Sequence, residues 1–207
     1  MATKRKKKAG KKKPDAAQKR RITNAYRRLI DELAHHRIRY VVIGAQAVRA
    51  YVPTRETNDL DLLVAQDDVD RVVGLADKHW ERGRTRVGGV RVLKDQRSSA
   101  EVHVRPAREQ SDKEALQSTV RVQLFARKVR VPAPEYLVVM KLASMRGQRK
   151  HWEDIVNLIR SDFIDVRFVV AHLVREHPGL IELFLELVTH ASPKPRRSSV
   201  RPPRSLV

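Results

Sequence analysis

No cysteine occurs among the 207 residues. That absence removes disulfides, a thiol nucleophile and zinc sites built on thiolates. The eight histidines form no His-Glu-x-x-His arrangement, which argues against a zinc hydrolase. No stretch approaches the roughly 18 consecutive apolar residues that cross a bilayer. The basic start, Met1 to Lys8, is followed by no apolar run, so it does not read as a secretory signal. A cytoplasmic protein without membrane contact is the expectation. Glycine is scarce, and Gly44 is not followed by Gly-x-x-Gly, so the dinucleotide-binding fingerprint is missing. No internal repeat is visible.

What is abundant is positive charge, unevenly placed. The formal net charge is +20, of which residues 1–21 supply +10 and residues 191–207 supply +5, leaving +5 for everything between. The ends read as basic arms able to follow a polyanion and release its counterions, which makes RNA or another nucleic acid the expected partner of these tails.

Between the arms the hydrophobic pattern changes period several times. Ile22, Ala25, Tyr26, Leu29, Ile30 and Leu33 recur at helical spacing, and that helix should end near His35-His36. Ile38 to Ile43 reads as a buried strand, and Gly44 then opens a short helical stretch to Tyr51. Leu60 to Val64 is the next strand, and Asp67 to Asp70 suits a helix start. Val90 to Leu93, Ala100 to Val104, Val120 to Phe125 and Val129 to Val131 read as strands. From Pro134 onward helical spacing dominates, with helices over Tyr136–Ala143, Trp152–Ile159, Phe163–Leu173 and Leu180–Val188. The division expected is a disordered basic tail over 1–15, an α+β core over 16–131, a helical part over 132–190 packed on that core, and a disordered Pro/Arg tail over 191–207.

Chemistry concentrates where the second long strand begins. Asp59 and Asp61 are two apart, which on a strand puts both carboxylates on one face. Two such groups repel unless a cation joins them, and Mg²⁺ prefers hard oxygen ligands. Glu101, at the start of Glu101-Val102-His103-Val104, is the candidate third carboxylate, and His103 shares its face. Gly44 permits close backbone approach at the start of a helix, a place suited to phosphate oxygens. Arg55 and Lys141 are candidate phosphate contacts. Metal-binding acids beside an anion cradle point to phosphoryl or nucleotidyl transfer.

The order of these pieces resembles the nucleotidyltransferase superfamily, in particular its minimal, toxin-type branch found in bacterial toxin–antitoxin and abortive-infection systems. The resemblance lies in Val41-Val42-Ile43-Gly44-Ala45-Gln46-Ala47, then Arg55-Glu56-Thr57-Asn58-Asp59-Leu60-Asp61, and later Pro134-Glu135-Tyr136-Leu137, Lys141-Leu142-Ala143, Arg149-Lys150 and Asp154. It covers roughly residues 22–160. It implies an α+β fold, a mixed β-sheet with flanking helices followed by a C-terminal helical part. It implies a Mg²⁺-dependent enzyme that moves a nucleoside monophosphate from an NTP (ATP, CTP, GTP or UTP) to a hydroxyl of a tRNA, another RNA, a protein or a small molecule. Asp59, Asp61 and Glu101 would be the catalytic metal ligands, with Gly44, Ala45, Arg55 and Lys141 on the nucleotide, and a cognate antitoxin is an implied partner. Two residues depart from the pattern: Ala45 stands where a second Gly or Ser is usual, and Glu101 where Asp is usual. An inactive scaffold that binds nucleic acid, or a small-molecule nucleotidyltransferase, is the alternative.

Overall fold

In a computed structural model, residues 14–52, 57–76, 79–145, 149–161 and 163–192 are described. Helix α1 (Ala16–His35) starts at Asp15, whose carboxylate accepts a 2.7 Å hydrogen bond from the Gln18 amide. Such a cap is worth about 1 kcal/mol. Ile22, Ala25, Tyr26, Leu29, Ile30 and Leu33 form its buried stripe, and closing that many side chains to water is what holds a polar-faced helix in place. Arg37 ends it in the left-handed region (φ 54°), while the Ile38 amide donates back to the Leu33 carbonyl at 2.9 Å.

Five strands form one sheet in the order β1-β2-β5-β4-β3: β1 (Tyr40–Ile43), β2 (Asp59–Ala65), β3 (Trp80–Arg82), β4 (Arg91–Asp95) and β5 (Glu101–Ala107). The central pair, β2 and β5, is parallel; the other neighbours are antiparallel. Alternation along the central pair splits the residues by face. Leu60, Leu62, Val64, Val102 and Val104 join the large core with α1 and with α3 (Val69–Ala76), which follows a single 3₁₀ turn over Gln66–Asp68. On the opposite face Leu63 and Ala107 meet Ala115 of α4 (Gln110–Gln117) and Tyr136 and Met140 of α5 (Pro134–Ala143).

A second, two-stranded sheet pairs β6 (Thr119–Leu124) with β7 (Arg127–Pro132), which lies beside β1. Its turn residues Phe125 and Ala126 take positive φ. The hairpin is fastened to α1 by Arg27 Nε donating to the Phe125 carbonyl at 2.6 Å and by a two-pronged Arg127–Asp31 pair at 2.7 and 2.8 Å. Helices α6 (Arg149–Arg160), α7 (Val166–Glu176) and α8 (Ile181–Ala191) complete the fold, and Ile155, Leu158, Val169, Leu173, Phe184 and Leu187 extend the same core into them. The architecture is the mixed sheet with flanking helices, followed by C-terminal helices, that the sequence implied. Strand β3 and helix α4 were not anticipated. Of the expected tails over 1–15 and 191–207, residues 1–13 and 193–207 lie outside the described residues.

Candidate active site

Parallel pairing of β2 with β5 sets Asp59 opposite Glu101 and Asp61 opposite His103. Partners in register on neighbouring parallel strands share a face and stand about 4.8 Å apart. All four side chains therefore gather at the N-terminal ends of the two central strands. Antiparallel β1 brings Ile43 opposite Asp61, so the chain leaves β1 directly into Gly44 beside the Asp61 carboxylate. Gly44 has φ +69°, and a Cβ there would overlap Asp61 Oδ2. Only glycine satisfies both the backbone and the space. Ala45 follows, buried, in the short helix α2 (Gly44–Val48).

The acids are partly compensated from within. His103 Nδ1 lies 2.8 Å from Asp61 Oδ1, and its Nε2 lies 2.7 Å from Glu101 Oε1. With a carboxylate on each nitrogen, both must donate, which makes the ring an imidazolium. Burial opposes that charge, but the hydrogen bonds to Asp61 and Glu101 outweigh it and hold the ring above its ordinary value. Glu101 is opposed by burial too, yet His103 and Arg86 pull it below the usual carboxylate range. Arg86 Nη2 reaches Glu101 Oε1 at 2.7 Å from the loop between β3 and β4. Asp59, exposed, has no ion pair among the described residues.

Tyr26 fastens this corner from below. Its hydroxyl donates to the Asn58 carbonyl and lies 3.3 Å from that of Glu101, so one phenol ties the residue before β2 and the first residue of β5 to α1. Burial, then the charge of Asp59, drives its pKa far up, keeping it a neutral donor. Its place in an apolar helical stripe marks it only as core; the clue to a second task is that a buried tyrosine needs a partner for its hydroxyl.

A cleft of about 900 Å³ opens beside the acids, lined by Gly44, Asp61, His103, Arg86, Lys141 and Ser144 among others. Asp59 and Glu101 lie outside that lining. Lys141 is buried, and its ammonium sits 2.6 Å from Asp154 Oδ2, on α6. Breaking such a pair from one side leaves a stranded buried charge, so Lys141 holds α5 to α6 whatever else it touches. Farther along the cleft, Arg105 pairs with the buried Asp112 at 2.8 Å. Arg55 lies outside the described residues.

The donor set can be tested against a hard divalent cation. Asp59 and Asp61 fit: two carboxylates on one strand face, Asp59 without a counter-ion among the described residues. Glu101, as placed, is engaged by His103 and Arg86. Among the described residues, no group of three or more His, Asp or Glu side chains converges to hold a metal. Arg86 was not anticipated; it sits in a loop, and nothing but the neighbouring Gly88-Gly89 turn marks the region in sequence.

Known structures share this architecture. The antibiotic-resistance factor ANT(2'')-Ia superposes with a TM-score of 0.54 at 13% identity, over 83% of this chain and 95% of that one. A putative nucleotidyltransferase of Thermotoga maritima gives 0.51 at 14% identity, over 63% and 88%. An antigenic nucleotidyltransferase-like protein of Paracoccidioides brasiliensis gives 0.50 at 18%, over 82% and 93%. At such identities the likeness is one of fold. No curated protein matches the chain. The family model described as "Nucleotidyl transferase of unknown function (DUF2204)" matches residues 22–186, a span that takes in the glycine turn, both aspartates, Glu101 and the Lys141–Asp154 pair, and the chain belongs to that family.

Proposed function

We propose that this chain is a Mg²⁺-dependent nucleotidyltransferase that moves a nucleoside monophosphate from an NTP to a hydroxyl of RNA, at the cleft beside Asp59 and Asp61. The observation that carries the reading is the register of β2 on β5 with Gly44 against Asp61. It gathers carboxylates from two strands next to a backbone turn that phosphate oxygens can approach. Asp59 and Asp61 would hold the ion, and Glu101 would join them on release from Arg86. Bound there, Mg²⁺ would supply positive charge to the triphosphate and acidify the attacking hydroxyl. The chain's own part is positional. Gly44, without a side chain, leaves room for phosphate oxygens at the cleft beside Asp61, His103 fixes the Asp61 rotamer, and Tyr26 keeps the strand ends in register. RNA is the preferred acceptor because the chain's positive charge far exceeds what a small sugar needs.

Incubation with labelled NTPs, Mg²⁺ and total RNA tests this. Transfer should fall at least about 100-fold in the Asp59→Ala/Asp61→Ala double variant. Transfer that survives the double substitution removes these acids from the mechanism. The toxin-type motif order adds a further expectation: induction of the chain in a bacterial host arrests growth, and the double variant does not.

A second reading rests on the engagement of Glu101 by Arg86 and His103. In it the fold is a scaffold without transfer activity that binds nucleic acid. Absence of labelled product with RNA, protein and small-molecule acceptors alike, alongside retained RNA binding, selects this reading.

A further inference from the structure

The β6–β7 hairpin carries a charge pattern that the fold itself does not explain. Register sets Arg121 opposite Arg130 and Gln123 opposite Lys128. Alternation turns Val129 and Val131 inward, against the core, and leaves Arg121, Gln123, Lys128 and Arg130 exposed on the outer face. Like charges directly opposite one another destabilise a strand pair. A hairpin usually avoids the arrangement or supplies acids between the cations. Here the nearby acid is Asp31, and it is saturated by both prongs of Arg127. Among the described residues Arg121, Lys128 and Arg130 have no ion pair and no side-chain hydrogen bond. Arg130 lies close enough to Tyr40 to act on its phenol, and Arg39, also exposed, immediately precedes that residue.

We infer that the outer face of the β6–β7 hairpin binds the phosphodiester backbone of a nucleic acid. Three features favour that partner. The cations are mostly arginine, whose forked guanidinium matches phosphate oxygens. They are spaced about 5 Å across the strands and about 7 Å along them, on a rigid ladder. The face is polar, with Gln123 between the cations and no large apolar side chain among them to enter a lipid interface. The ligand also relieves the repulsion between Arg121 and Arg130, which the fold tolerates in its absence. This surface lies within residues 119–132, apart in sequence from the basic ends. It deepens the reading of RNA as acceptor, but binding is measured without any transfer step, so the two stand or fall apart.

The test uses the full chain and a fluorescent single-stranded RNA of about 20 nucleotides, with DNA of the same sequence and vesicles containing phosphatidylserine as further arms. Affinity is measured across a salt series for the native chain, for Arg121→Gln/Lys128→Gln/Arg130→Gln, and for the charge-keeping Arg121→Lys/Arg130→Lys. Each lost phosphate contact on a single strand lowers the salt slope by about 0.7, so the triple variant should lose about two units of slope. The lysine variant should keep the slope. Thermal melts of both variants should match or exceed the native chain, since every substitution is on an exposed position. Equal losses on RNA and DNA support a backbone surface, and a larger loss on RNA assigns it to RNA. An unchanged slope and affinity in a folded triple variant would place all binding in the tails and overturn the inference. Hairpin-dependent capture by the vesicles, with none by either nucleic acid, would overturn it as well.

Discussion

Two places in this molecule put like charges side by side on neighbouring strands, and they are treated differently. At the start of β2 and β5, Asp59, Asp61 and Glu101 crowd together, and the fold answers with His103 between Asp61 and Glu101 and with Arg86 also on Glu101. On β6 and β7, Arg121, Lys128 and Arg130 crowd together, and among the described residues no acid pairs with any of them. The first cluster is tuned internally, so that an incoming cation must compete with an imidazolium and a guanidinium. The second is left to whatever polyanion arrives. Self-repulsion is a cost in both cases. A chain that keeps the cost at two sites of opposite sign has a use for two kinds of counter-charge.

The comparison can be broken most severely at Gly44. Alanine there would be forced into the left-handed region and against Asp61. Displacement of that carboxylate by about 1 Å should lower transfer by about 100-fold, while a variant that folds and retains full turnover would show Asp61 to be a bystander. A smaller effect is expected at Arg86. Arg86→Gln releases Glu101 from its external counter-ion, and half-saturation by Mg²⁺, followed as metal-induced thermal stabilisation, should fall by up to about fivefold, the range of a partly exposed ion pair. Identical titrations would show that Glu101 is not on the cation's side of the site.

The hairpin offers the weaker handles. Asp31 is held below its ordinary value chiefly by its hydrogen bonds with Arg127. A carboxylate depressed on folding adds stability above its unfolded pKa, and that stability is lost as pH falls through the folded value. Asp31→Asn should therefore lower Tm slightly at neutral pH and match the native chain in strong acid, because the pair is exposed and solvent screens it. Smallest of all, Arg121→Thr should raise Tm by about a degree at low salt, with the gain vanishing at high salt as screening removes the repulsion it relieves. A loss of stability instead would mean that Arg121 makes a contact that its exposure conceals.

The same contrast explains what was legible in the sequence. Apolar runs and Gly44 announced β1, α2 and β2, and the two-residue spacing of Asp59 and Asp61 announced a shared face, because period and spacing are local properties. Helix α4 escaped because its buried positions include the polar Ser111 and Asp112, and Asp112 is held by Arg105 and by the backbone of Arg108 rather than by an apolar stripe. Strand β3 is three residues long with one buried side chain, too short to show a period. The pairing of Arg86 with Glu101 depends on which distant segments become neighbours, information held by the whole fold rather than by any window of the chain. The register of Arg121 on Arg130 instead needs the two-residue turn at Phe125-Ala126, which carries no glycine or asparagine to mark it.

Helix α1 touches both clusters within six residues: Tyr26 holds the carbonyls of Asn58 and Glu101, Arg27 holds the hairpin turn, and Asp31 holds Arg127. A helix is a rod with a rise of about 1.5 Å and a rotation of about 100° per residue. The acidic corner and the basic ladder are therefore pinned to one ruler, with a separation along it and an angle around it that are not independently adjustable. One extra residue between Tyr26 and Asp31 would swing the two attachments about 100° out of phase. The geometry by which a strand gripped at the hairpin could be presented to the acids is thus written into the length of five peptide units on a segment that takes no part in either charge cluster.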